Sequence, residues 1–300
     1  MDLDLVKKAT AYYSEGASAS DAARLKFFEG LYQLIQERAE QLEGTQAVDT
    51  LSSEKADACY TEGTPLLWKA PVVVKPEDFA KTCSEVAAYL VENAGLEDAA
   101  AKALAAYDWD WFVDNVQLTD AGRDPSEFVE SCLKRTPKLG VGSDMPVTVF
   151  GLVAGFALRA HLQQHAADLM TCVSKDILEG LNHDAPVACP VCGSAAAASV
   201  VWPQGSASGH GRSQYCAKCG TMWHFERIRC GHCGTQSTSH LHYYHIEGDS
   251  AHRIHTCDDC GGYERVVFQE EIKAPFCMEV EDVVMARLDQ VALDPSFQQR

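Results

Sequence analysis

Basic side chains are scarce in this sequence: 25 Lys and Arg stand against 43 Asp and Glu, a formal charge of −18. A chain this acidic repels phosphate backbones, which excludes bulk electrostatic binding of DNA or RNA. Long apolar runs are missing as well. The most apolar stretch, Met145 to Leu158, contains Pro146 and falls short of the roughly 20 residues that span a bilayer. The opening Met1-Asp2-Leu3-Asp4 lacks the basic segment and apolar run of about 7–15 residues that mark a secretory leader. The expectation is a cytoplasmic protein without membrane insertion. No Walker loop, dinucleotide fingerprint, nucleophile elbow or His-Glu-x-x-His motif occurs. No catalytic residue is nominated, and the chain reads as a non-enzyme. Its 300 residues, 46% hydrophobic and 23% charged, suit a protein that buries a core, as two ordinary domains or one large one.

Cysteine, by contrast, is abundant, at 13 residues. Without an export signal, dense and regular cysteines point to metal before disulfides. Cys189-Pro-Val-Cys192-Gly193, Cys216-Ala-Lys-Cys219-Gly220, Cys230-Gly-His-Cys233-Gly234 and Cys257-Asp-Asp-Cys260-Gly261 are four C-x-x-C-G knuckles. Each cysteine of the first two recurs 41 residues later in the last two, an internal duplication. Each half reads C-x2-C-x23-C-x2-C, the four-thiolate pattern of zinc ribbons and rubredoxin-like sites. Two intervening residues let both sulfurs of a knuckle reach one tetrahedral ion, and the glycine turns backbone N–H groups toward them. Pairing within each half is expected. A four-thiolate tetrahedron suits iron and zinc alike. Four redox dithiols form the competing reading. Arg227 and Arg229, just before Cys230, could offset thiolate charge or be solvated strand residues. Cys59, Cys83, Cys132, Cys172 and Cys277 share no spacing; Cys83 and Cys132 fall in helical apolar patterns as buried free thiols.

Charge divides the chain. Residues 1–184 hold 30 acidic and 16 basic side chains, and residues 185–300 hold 13 and 9. The first part reads as helical, with a stripe of Phe27, Leu31, Leu34, Ile35 and Leu42 from near Ser20. Pro76 opens a helix with Phe79, Cys83, Val86 and Leu90 on one face and Gly95 at its end. Asp124-Pro125-Ser126-Glu127 is a capping-box start leading into Phe128, Val129 and Cys132. A long apolar helix from Pro146 carries Val149, Leu152, Val153, Phe156 and Leu158 and continues toward Leu181. Within it, Gly151 and Gly155 predict close helix packing. A linker at Asn182 to Ala188 reaches the first knuckle. Beyond it, Ala198–Trp202, Leu241–Ile246, His252–His255 and Tyr263–Phe268 read as strands, with Pro203–Gly211 a Gly/Ser-rich turn and Glu247-Gly248-Asp249 a second. A final helix begins near Cys277, with Val280, Val283, Val284, Leu288 and Val291 on one side.

The fold class is therefore α+β. A helical domain (1–184) precedes two tandem rubredoxin-like, zinc-ribbon-like metal units (185–228 and 229–272) and a C-terminal helix (273–300). His161 and His165, four apart, could share a metal but read as surface histidines. His240, His242, His245, His252 and His255 read as strand histidines of a small exposed β unit. The bridge Gly220–Arg229 is expected where the two metal units meet. Trp223, His224, Arg227 and Tyr243 are candidates for a partner-binding surface, or for a mini-core between the units.

The knuckle region resembles the FdhE family of formate dehydrogenase accessory proteins. The resemblance rests on Cys189-Pro-Val-Cys-Gly-Ser194, Trp223-His224 with Arg227 and Cys230, Leu241-His242-Tyr243, and Cys257-Asp-Asp-Cys260 with Tyr263. Asp144-Met-Pro146 before an apolar helix fits the family's approach to its metal region, so similarity covers residues 144–292. Met222 stands where the family has Glu, and Glu264-Arg265 where it has Leu-Lys. Partner-contacting positions among these would imply a changed partner surface. The resemblance implies a cytoplasmic maturation chaperone with rubredoxin-like iron sites. Such a factor binds the catalytic subunit of an exported molybdenum- or tungsten-dependent formate dehydrogenase, and its twin-arginine signal segment, before export. A rubredoxin-like electron carrier or a redox sensor is the alternative.

Overall fold

A computed structural model describes residues 1–44, 50–141, 145–179, 185–203, 210–294 and 297. Eleven helices and six strands lie within them, and no helix is long and apolar enough to cross a membrane. The helices are α1 (Leu3–Ser14), α2 (Ala19–Leu42), α3 (Ser53–Glu62), α4 (Pro76–Asn93), α5 (Asp98–Ala105), α6 (Trp109–Asp114), α7 (Leu118–Arg123), α8 (Pro125–Lys134), α9 (Val147–Cys172), α10 (Lys175–Glu179) and α11 (Met278–Ala292). The starts are chemically marked. Asp2, Ser18, Asp108 and Asp124 each accept a backbone N–H with their side chains at the head of α1, α2, α6 and α8, satisfying donors that the helix leaves unpaired.

Helix α9 is the hub, packed against α2, α3, α4, α7 and α8. Its apolar residues run all round its circumference because neighbours cover most of it. The expected continuation toward Leu181 does not form. Val173 is extended, and Ser174, whose carbonyl accepts from Ile177 and Leu178, starts the short α10. Leu181 itself lies outside the described residues, as do Asp144, residues 182–184 of the expected linker and residues 204–209 of the expected turn. Gly151 and Gly155 do not mediate close packing either. Gly155 has no neighbour within 4 Å of a would-be Cβ, Gly151 has only Leu133 at 3.8 Å, and both line a cavity of ≈ 310 Å³.

The strands are β1 (Ala198–Pro203), β2 (His210–Tyr215), β3 (Met222–Phe225), β4 (Leu241–His245), β5 (His252–Cys257) and β6 (Tyr263–Phe268). They form one sheet in the order β3-β2-β1-β6-β5-β4. Each duplicated half is an antiparallel three-strand meander, and the halves join head to tail through parallel β1 and β6, with Val200 opposite Val267. The seam is therefore β1–β6. The bridge Gly220–Arg229 was expected there, but its strand β3 lies at the outer edge of the sheet.

Alternation sorts the two faces. Ala198, Val200, Ile254 and Val267 meet Met278, Met285 and Leu288 of α11, whereas Val201, Val266 and Phe268 cluster on the other face. The other side of α11 packs Val280 and Val283 with Val6, Leu25 and Tyr32 of α1 and α2. Chain ends and sheet are thereby tied to the helical domain.

Candidate metal centres

All four knuckles share one backbone design. The glycine N–H donates to the carbonyl of the first cysteine (Gly193 to Cys189, Gly220 to Cys216, Gly234 to Cys230, Gly261 to Cys257; 2.8–3.0 Å). The N–H of that cysteine donates to the carbonyl five residues on: Ser194, Thr221, Thr235 and Gly262, in the same order (2.8–3.0 Å). Closing this turn requires positive φ at the glycine, as at Gly220 (+83°), where a Cβ is disfavoured. A Cβ on Gly220 would also lie 2.6 Å from the Arg159 guanidinium.

The knuckles meet within each half. Cys189, Cys192, Cys216 and Cys219 form one group and Cys230, Cys233, Cys257 and Cys260 another, with all four sulfurs of each within 4.8 Å of one another. The sulfur separations are 3.6 Å (Cys189–Cys219), 3.5 Å (Cys192–Cys216), 3.7 Å (Cys230–Cys260) and 3.7 Å (Cys233–Cys257). A tetrahedron with metal–sulfur bonds of about 2.3 Å has edges of about 3.8 Å, whereas a disulfide requires about 2.05 Å. The donor sets thus fit one thiophilic ion each, and each group could hold one. Burial pushes the Cys189 thiol well above its ordinary range and the Cys257 thiol up to about 12, while a backbone hydrogen bond at Thr235 holds exposed Cys233 low. An ion entering either group displaces thiol protons, so its binding strengthens as pH rises.

The first group belongs to the helical core. Its four cysteines and Trp223 share a hydrophobic cluster with Phe79, Phe150 and Leu162. Leu66 and Leu67 donate backbone N–H groups to the carbonyls of Pro190 and Val191 (2.8 and 3.0 Å), and Ser126 meets Ser194 at 2.7 Å. From α9, buried Arg159 donates to the Ala217 carbonyl (2.9 Å), the Tyr215 hydroxyl (3.1 Å) and Glu279 Oε1 (2.8 Å), fixing the second knuckle to α11.

The second group sits beside a cavity of ≈ 430 Å³ on the sheet face away from α11, lined by Cys230, Cys257, Arg227, Tyr243, His255 and Phe268 among others. Beneath it, Arg212 and Glu264 form a buried ion pair, with Ser199 hydrogen-bonded to both. Burial works against the Glu264 charge, but Arg212 and Ser199 hold its pKa below the usual range. Burial and then the Arg212 charge push His255 down to about 4.

The sequence candidates separate by exposure. Tyr243 is 67% exposed, and Arg227 and His224 are exposed too. Arg227 and Tyr243 line the same cavity, whereas His224 lies on β3 with its ring 5.2 Å from that of Trp202. Trp223 is 2% exposed and its indole N–H donates to the Pro186 carbonyl (2.8 Å). Arg229 is a bracing residue, donating to the Gly234 and Ala185 carbonyls and to Glu226.

The histidines depart from expectation. His161 and His165 are not surface residues: both are buried, near Thr82 Oγ1 (3.1 Å) and the Ala70 carbonyl (3.0 Å), because α9 is enclosed. His252 is likewise buried, between Asp249 and Glu281 (2.9 and 2.8 Å). His240, His242 and His245 are exposed.

Residues 188–227, which span the first cysteine group, match the family model described as FdhE, central domain. Over this stretch the chain is similar to FdhE proteins. It is 38% identical over 108 residues to the Protein FdhE homolog of Cronobacter sakazakii and 36% identical over 108 residues to Protein FdhE of Escherichia coli O1:K1. Each alignment covers 34% of this chain and 33% of the relative, about a third of the length of those FdhE proteins. The fold as a whole is similar to the crystal structure of the FdhE protein from Pseudomonas aeruginosa, with a TM-score of 0.58 and 19% identity over 99% of this chain and 93% of that one. Two positions that depart from the FdhE pattern face inward. Glu264 pairs with Arg212, and Arg265 pairs with Asp282 (2.6 Å) and the Ala197 carbonyl (2.9 Å). Met222 is the exposed one.

Proposed function

We propose that this protein is an accessory factor for formate dehydrogenase maturation. It binds the catalytic subunit of an exported molybdenum- or tungsten-dependent formate dehydrogenase in the cytoplasm before export, without catalysing a reaction itself. Cys189, Cys192, Cys216 and Cys219 hold one metal ion and Cys230, Cys233, Cys257 and Cys260 a second, iron or zinc. The ions supply folding energy to a β region that is small and rich in polar residues. The observation that carries this reading is the coincidence of the first cysteine group with the FdhE central-domain match.

Arg227 and Tyr243, at one cavity, and His224, on the sheet edge, are the partner contacts. Buried Trp223 acts on the partner only by holding β3 in place. Co-purification with the dehydrogenase catalytic subunit tests this: Tyr243→Ala combined with Arg227→Ala weakens capture at unchanged metal content and thermal stability. Capture by the double variant equal to that of the parent protein removes these residues from the interface.

A further inference from the structure

The two cysteine groups share a spacing but not an environment. In the first, Cys189, Cys192, Cys216 and Cys219 are at most 1% exposed. Both of its knuckles are clamped from the helical side, through Leu66 and Leu67 to Pro190 and Val191 and through Arg159 to Ala217. In the second, Cys233 and Cys260 are exposed, and buried Cys230 and Cys257 back onto the ≈ 430 Å³ cavity. The His232 ring lies close to this group and lines the same cavity. It stands across Gly262 from Cys260 and is anchored to the Tyr263 carbonyl at 2.7 Å.

We propose that the second group is an exchange site, which takes up and releases a thiophilic metal ion in the folded protein, while the first is a permanent structural site. This rests on the reading that both groups bind metal. Tetrahedral thiolate sites exchange by substitution: a bond to an incoming donor forms as a bond to one cysteine breaks, and the freed thiolate keeps its electron pair. At the second group the incoming donor reaches the ion from solvent past Cys233 and Cys260, and the freed thiolate is stabilised by water. At the first group the same event exposes a thiolate inside an apolar core and needs that core to open.

Zinc-loaded full-length protein mixed with an excess of a chromogenic zinc chelator, under reducing conditions, tests this. Expected is release in two phases, one ion per chain each, the second at least about 100-fold slower because it waits on local unfolding. Iodoacetamide added at the end of the fast phase modifies Cys230, Cys233, Cys257 and Cys260 and leaves Cys189, Cys192, Cys216 and Cys219 unmodified. Cys260→Ser removes the fast phase and keeps the slow one. Release of both ions in a single phase overturns the inference, as does fast-phase modification of the first group. A chain that loads no zinc at either group refutes the metal scaffold itself, a separate and recognisable failure.

Discussion

Arg212 and Glu264 show how far a single residue can depart from what its sequence neighbourhood suggests. Both are charged, Arg212 on a polar strand and Glu264 near the start of an apolar one, and both are buried against each other and Ser199. Replacing Glu264 with Gln leaves the Arg212 guanidinium buried without its counter-charge. The expected loss, read from urea unfolding, is about 3–5 kcal/mol; a loss near zero would mean that water reaches the pair. At Trp223, whose ring is enclosed, alanine costs about 3–5 kcal/mol by leaving a cavity. Metal retention and stability therefore fall together, and partner capture is not lost by itself. His252 adds a pH signature. Burial alone would lower its pKa, but hydrogen bonds and charge from Asp249 and Glu281 outweigh burial and hold it at about 9. Tyr13 donates to Glu281 and Arg287 contacts Asp249 in the same network. A raised histidine pKa stabilises the fold below the unfolded value near 6.5, and that contribution is lost as pH rises through about 9. The loss is on the order of 3 kcal/mol. Unfolding free energy measured from pH 6 to 10 should decline in the parent protein and decline less in His252→Gln. His161 and His255, both held near 4 by burial and neighbouring arginines, act in the opposite sense and withdraw stability as pH falls below about 6.5.

Among the elements, the knuckles and the long helices were legible because their signals are local. A C-x-x-C-G turn closes on itself, and the capping residues Asp124 and Pro125 start α8 where the sequence places them. Strands β2 and β3 were not legible. His210–Tyr215 is polar, and what buries Arg212, Ser213 and Gln214 is a partner strand and an ion pair distant in sequence. Reading a strand from apolar alternation misses residues whose burial is repaid by hydrogen bonds. The same holds for the α9 histidines, whose enclosure depends on α4 and the segment at Ala70. Two glycines at positive φ, one in a knuckle and one in a turn, offer a differential test. Gly220→Ala and Gly248→Ala both place a side chain at positive φ, but only Gly220 also faces the Arg159 guanidinium; nothing lies within 4 Å of Gly248. Gly248→Ala should cost about 1–2 kcal/mol, and Gly220→Ala clearly more, with partial loss of metal from the first group. Equal costs would mean that Arg159 yields freely.

At the scale of the molecule, the duplication announced two like units, whereas the fold makes them unlike. The head-to-tail join through β1 and β6 leaves one unit enclosed by the helical domain and the other open to a cavity and to solvent. No spacing rule carries that difference, because it depends on what packs outside each unit. Most of the acidic surplus of the molecule lies in residues 1–184. If it steers a basic twin-arginine signal segment, affinity for the signal-bearing partner should weaken steadily as salt rises from low to physiological strength. Affinity that stays flat assigns the charge to solubility alone. The shape of the β region rests on eight sulfurs gripping two ions. The metal-to-chain ratio of protein purified without oxygen tests it most directly. The account predicts two iron or zinc ions per chain, falling to one when Cys257 is replaced by Ser, and a metal-free chain, or one whose knuckle thiols are joined as disulfides, would contradict it.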